Sequence, residues 1–309
     1  MVNNMKQSKL AFSILLIFYF LLLQSCGGLF YFPDNRLYVD VQKLDIKPER
    51  VELKTGDNTK FFGWYFKASG ETKKPRGKIL FFHGNAQNRT SHFFALYWIL
   101  QKNYDFFIFD YPGYGDSEGK PSRETTTDAG SKALEWLAAQ DPSVPLIIFG
   151  QSLGGNIAMY TASQNKGTKI CLVTVDSTFK SYRKVAQRMM AKHWFLWPFQ
   201  GLSYVLVGES SSAQSHISEL SPTPLVIFHG EDDPVVGIEN GRDILDEARD
   251  PKNFYSVPGH GHTMAFNGPH QEEFRKDFLS ELEKYCGKNE RTKESRQEEK
   301  RSSSSLFSF

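Results

Sequence analysis

The chain has 309 residues, 40% of them hydrophobic and 23% charged, with a net charge of +2. That is an ordinary globular balance, with ample apolar material for one large domain plus appendages. It excludes the concentrated basic face of a nucleic-acid binder, so no nucleic-acid partner is expected.

The N-terminus reads as an address. Lys6 and Lys9 precede residues 10–23, LAFSILLIFYFLLL, which are almost wholly apolar. Fourteen helical residues rise only about 21 Å, against roughly 30 Å of bilayer hydrocarbon. A secretory signal over residues 1–25 therefore fits better than a membrane-spanning helix. Leu23-Gln24-Ser25-Cys26 follows, and it resembles the bacterial lipoprotein box, with Gln24 where a small residue is more usual. The resemblance implies lipidation of Cys26, which becomes the first mature residue and attaches the protein to the bacterial cell envelope. Gly27 stands where an aspartate would signal inner-membrane retention, which favours the outer membrane. The alternative is an uncleaved signal anchor with an incidental cysteine.

Residues 26–50 read as a tether, broken by Pro33 and Pro48. Residues 51–68 alternate around the turn Thr55-Gly56-Asp57-Asn58 and predict an antiparallel hairpin at a sheet edge. Short apolar runs then recur at 79–82, 106–109, 146–149, 170–175, 225–228 and 254–257. Unbroken runs of this length suit strands buried on both faces. Helices are expected at 91–102, 123–139, 154–164, 237–248 and 269–286. The alternation predicts an α/β fold, a mostly parallel central sheet with helices on both faces, over residues 51–286. Residues 178–218 interrupt it with Met189, Met190, Trp194, Phe195, Leu196, Trp197, Pro198 and Phe199. They form either a small cap over a pocket or surface helices packed on the core. The charged, serine-rich tail 287–309 is expected to be disordered.

Three cysteines, Cys26, Cys171 and Cys286, are too few and odd in number for a disulfide framework. Cys171 sits in an apolar run and reads as a small buried hydrophobe. Cys286 ends a predicted helix.

Chemistry concentrates in a few places. Gly150-Gln151-Ser152-Leu153-Gly154-Gly155 matches a nucleophile elbow, with a strand before it and a helix after it. The turn is tight enough to need Gly150 and Gly154. A serine hydroxyl needs a base, and acid and base are expected after Ser152 in the chain. Asp233 lies in His229-Gly230-Glu231-Asp232-Asp233, and His262 in Gly259-His260-Gly261-His262. Both segments follow apparent strands, where sites form in open α/β sheets. Glu231, Asp232 and Asp176 compete with Asp233, and His260 competes with His262. His83 and His229 each begin a His-Gly turn and read as loop-shaping. Oxyanion donors are expected at the Leu153 amide and at Asn85, with Ala86 next.

The set His83-Gly84-Asn85-Ala86, Asp110-Tyr111-Pro112-Gly113-Tyr114-Gly115-Asp116-Ser117, Gly150–Gly155, His229–Asp233 and Gly259–His262 resembles the ABHD-type serine hydrolases of the α/β-hydrolase superfamily. The resemblance covers roughly residues 50–285. It places Asp233 and His262 as acid and base and the Tyr-rich loop beside the oxyanion hole. Pro112 stands where an arginine is common, and His260 where a small residue is usual. It implies hydrolysis of a small-molecule acyl ester or thioester through an acyl-enzyme on Ser152, with no metal or organic cofactor. The alternatives are a serine peptidase of the same fold and an inert envelope lipoprotein that uses the fold for binding.

Overall fold

A computed structural model describes residues 30–69, 74–192 and 194–287. Residues 1–25, which read as a signal, Cys26 and the tail beyond residue 287 lie outside the described residues. The described residues contain ten strands: β1 Phe32–Pro33, β2 Glu49–Lys54, β3 Lys60–Phe66, β4 Gly77–Phe82, β5 Ala86–Gln87, β6 Tyr104–Phe109, β7 Leu146–Gln151, β8 Ile170–Asp176, β9 Leu225–Gly230 and β10 Lys252–Val257. Eight form one sheet in the order β10-β9-β8-β7-β4-β6-β3-β2. Its pairs are parallel except β3 with β6 and β2 with β3, so the expected hairpin occupies one edge.

The strands are apolar throughout because both faces are covered, and alternate residues serve opposite cores. Leu80, Phe82, Phe107, Phe109 and Ile148 belong to one; Ile79, Phe81, Phe106, Ile108 and Phe149 belong to the other. Among the described residues eight α-helices accompany the sheet: α1 Arg89–His92, α2 Phe94–Tyr97, α3 Arg123–Ala139, α4 Leu153–Gln164, α5 Tyr182–Ala191, α6 Leu202–Leu206, α7 Glu239–Glu247 and α8 Gln271–Cys286. The helix expected at 91–102 is instead α1, α2 and a 3-10 turn at Trp98–Lys102. The 178–218 insertion divides between buried and exposed side chains. Tyr182 and Val185 of α5 join the core, while Trp194, Trp197 and Phe199 stay exposed.

Two expectations change. Cys171 and Cys286 form a disulfide, so neither is a free apolar side chain. The start of β8 and the end of α8 meet there with Cα atoms 5.4 Å apart, a proximity that 115 intervening residues conceal. The segment read as a tether is also folded onto the body from residue 30. β1 pairs in parallel with β5, and Tyr31 is buried against Thr126 and Tyr182.

The disulfide closes a loop that contains the insertion, Asp233 and His262. A loop of this length contributes about 2–5 kcal/mol. Cys286→Ser is therefore expected to lower the urea-unfolding free energy by that amount. The wild type in excess dithiothreitol should fall to the same value; equal stability with and without the bond would contradict this.

Candidate active site

Ser152 sits between the end of β7 and the start of α4. Its backbone has φ 52° and ψ −123°, a left-handed conformation that side-chain-bearing residues avoid. The turn closes so tightly that a Cβ on Gly150 would lie 2.6 Å from the Gly154 carbonyl oxygen. One on Gly154 would lie 2.2 Å from that of Phe82. The Ser152 amide donates to the Asp176 carbonyl at 2.9 Å, which fixes the turn to β8.

Asp233 follows β9 and His262 follows β10. His262 Nδ1 lies 2.7 Å from Asp233 Oδ2, and its Nε2 lies 2.9 Å from Ser152 Oγ. An ionised Asp233 can only accept, so Nδ1 carries the proton and Nε2 is left to accept from the serine hydroxyl. Asp233 Oδ1 accepts from the amides of Val235 at 2.8 Å and Val236 at 2.9 Å. Burial alone would raise its pKa. The hydrogen bond and charge of His262, with the two amides, outweigh that and hold it below the usual carboxylate range.

The competing residues fall elsewhere. Glu231 and Asp232 are exposed. Asp176 is buried, takes hydrogen bonds from Gln151 Nε2 at 3.0 Å and Ser177 Oγ at 3.1 Å, and is pushed up to about 6 by burial. His260 bonds the Pro258 carbonyl through Nδ1 and packs on His270 and Phe274, away from Ser152. His229 binds the Val236 carbonyl and His83 that of Gly84, so both shape loops as expected.

Leu153 opens α4, so its amide is one of the donors a helix leaves unpaired in its first turn. Asn85 lies across the site, and its side-chain oxygen accepts from the Phe32 amide at 2.9 Å and the Tyr114 hydroxyl at 3.2 Å. Tyr111 donates to the His83 carbonyl at 3.0 Å. The Tyr-rich loop therefore braces residues 83–85. Behind it Arg89, buried, pairs with Asp110 and, at 2.6 Å, with Asp116.

Ser152 and His262 open on a cavity of about 330 Å³ lined by Phe30, Phe32, Leu153, Phe179, Val185 and Met189 among others. Among the described residues, no Asp, Glu, Lys or Arg lines it. No motif marks Phe30 and Phe32, which lie in the segment that reads as a tether. His92 was also missed; it lines the cavity, bonds the Ala86 carbonyl at 2.8 Å and is held below the usual imidazole range, chiefly by burial. Arg89 had a signal: Asp110 directly follows the apolar run 106–109 and, once buried, needs a countercharge.

The family model described as serine aminopeptidase, S33, matches residues 73–205. The uncharacterized protein YfhR of Escherichia coli O157:H7 is 31% identical over 81% of this chain and 85% of its own length. The lysophosphatidylserine lipase ABHD12 of Danio rerio is 29% identical over 70% of this chain and 60% of that protein. Among solved structures, an esterase of Pyrococcus furiosus superposes with a TM-score of 0.67 at 18% identity, covering 83% of this chain and 98% of the other. This chain is a member of the α/β-hydrolase superfamily and belongs within it to the family of the YfhR proteins.

Proposed function

We propose that this protein is a serine hydrolase that cleaves carboxylic ester or thioester bonds through an acyl-enzyme on Ser152. The observation that carries the proposal is the hydrogen-bonded line Asp233–His262–Ser152 at the mouth of an apolar cavity. His262 Nε2 takes the hydroxyl proton as Ser152 Oγ attacks the acyl carbon. The tetrahedral oxyanion is held by the Leu153 and Asn85 amides. His262 returns the proton to the leaving alcohol or thiol, and water, deprotonated by His262, releases the acid.

The cavity lining favours an ester over an N-terminal peptide. A free α-ammonium calls for a carboxylate, and the described lining offers none. An apolar wall suits an acyl chain. The similarity to lysophosphatidylserine lipases makes a single-chain lipid ester the first substrate to try.

We also propose that the protein is a lipoprotein held at Cys26 on a bacterial envelope. The Leu-Gln-Ser-Cys motif supports this, as does the Cys171–Cys286 disulfide, since such bonds persist in oxidising compartments.

The test is labelling by a fluorophosphonate probe. The wild type should label, and Ser152→Ala and His262→Ala should not. A well-folded wild type that resists the probe would sink the acyl-enzyme reading and favour an inert binding protein.

A further inference from the structure

We propose that the outer face of the cap, residues 194–205, docks on the lipid bilayer and delivers an acyl substrate from it into the Ser152 cavity. Trp194 is 87% exposed and Trp197 63%, and Phe199, Leu202, Tyr204 and Val205 are also exposed. A run of this kind on a folded domain has no reason to face water unless something covers it. Its composition specifies the partner: tryptophan and tyrosine, each with an apolar body and a polar tip, settle at the boundary between hydrocarbon and water.

The path of the chain gives an independent argument. The apolar segment ends at residue 23, and the described residues begin at Phe30. The residues between can span at most about 25 Å even fully extended. Phe30 packs on Tyr182 at the start of α5 and lines the cavity with Val185 and Met189 of the same helix. The ten residues of α5 rise about 15 Å and lead to Trp194. If residues 10–23 or a lipid on Cys26 sit in the membrane, the side of the body held closest to it is the side bearing the cavity mouth and the aromatic face.

The apolar surface is also continuous with the mouth. Phe32 and Val235 line the cavity and are exposed, and Met189 bridges cavity and cap. Among the described residues no charged side chain lines the cavity that would receive the acyl chain. The cations of α5 are engaged within the body: Arg188 pairs with Asp243 at 2.9 Å, Lys184 pairs with the same carboxylate, and Arg183 donates to the Val207 carbonyl at 2.6 Å, while Lys192 just after the helix donates to the Pro234 carbonyl at 3.0 Å. Residues 194–205 themselves carry no charged side chain, so a zwitterionic bilayer suffices for the contact.

The proposal rests on membrane attachment of the N-terminus and, for its role in turnover, on the hydrolase reading. The test separates them. The full-length protein is reconstituted in phosphatidylcholine vesicles with plain or brominated acyl chains, and tryptophan emission is recorded. Emission should drop on brominated lipid, and the drop should vanish in Trp194→Ser/Trp197→Ser. Equal emission on both lipids, or a drop that persists in the variant, would overturn the proposal. A cross-linked dimer whose emission is not quenched would assign the face to a second copy instead. In the activity arm, the variant should hydrolyse an ester carried in the vesicles several-fold more slowly than wild type and a soluble short-chain ester at the wild-type rate. Equal loss on both substrates would also count against it. Failure of the hydrolase reading would appear as absent fluorophosphonate labelling and would leave the quenching result intact.

Discussion

Asp233→Asn is expected to lower kcat by about 10⁴-fold, whereas Asp176→Asn should leave it close to wild type. Both carboxylates lie at the ends of neighbouring strands, and only their hydrogen bonds tell them apart. Asp233 Oδ2 takes the Nδ1 proton of His262. An amide there can donate to Nδ1, which moves the imidazole proton to Nε2 and leaves nothing to accept from Ser152. Asp176 spends its oxygens on Gln151 and Ser177. Steady-state kinetics on folded variants decides the matter. An Asp176→Asn enzyme more damaged than Asp233→Asn would transfer the acid role to β8. The pH behaviour of the two carboxyls differs as well. The folded pKa of Asp233 is depressed, so its contribution to stability is present above the ordinary carboxylate value and is lost only as pH falls through the lower folded one.

Arg89→Met is expected to destabilise the protein by about 3–5 kcal/mol, and by more at pH 8 than at pH 5. Arg89 is the countercharge of Asp110, which is buried completely, and it also lies 4.9 Å from the Trp64 ring centre. Removing it strands a carboxylate in the core. Burial already pushes Asp110 up to about 6 against the pull of Arg89. Its folded pKa thus exceeds the unfolded value near 3.9, so stability from this group falls as pH rises between the two. Without Arg89 the folded value climbs further, and the penalty is fullest at pH values where the unfolded chain is ionised and the folded carboxyl resists ionising. Urea unfolding at both pH values tests this. An equal loss at each would mean that Arg89 acts by packing alone. Arg89→Met/Asp110→Asn should recover most of the stability at pH 8.

The sequence made the middle of each strand legible and hid the ends. β4 begins at Gly77 rather than Ile79 because Lys78 is buried, its ammonium bonded to the carbonyls of Ala138 at 3.1 Å and Asp141 at 3.2 Å. β6 begins at Tyr104, and its Asp105 accepts from the Ala68 amide at 2.7 Å. A charge near the start of an apolar run reads as a boundary; here each charge is met by groups distant in the chain. The expected site residues were legible because the Ser152 elbow and the segments holding Asp233 and His262 are each local patterns after a strand. The patterns left His260 beside His262 as a candidate; only the fold brings Ser152, Asp233 and His262 within hydrogen-bonding reach and turns His260 to the Pro258 carbonyl. The β1–β5 pairing and the disulfide are products of tertiary contact alone. One arithmetical hint was present: a lipid on Cys26 leaves an even pair of cysteines.

The backbone at Ser152 has a consequence for how this chain could change. A side-chain-bearing residue at φ 52° and ψ −123° costs on the order of 1–3 kcal/mol, and glycine would relieve most of it. The residue that the proposed reaction requires is thus not the residue that the turn prefers. Stability and turnover pull in opposite directions at this one position, so serine persists there only under selection for the chemistry. A descendant freed from that selection would drift toward glycine at 152 before its core gave any sign of the loss.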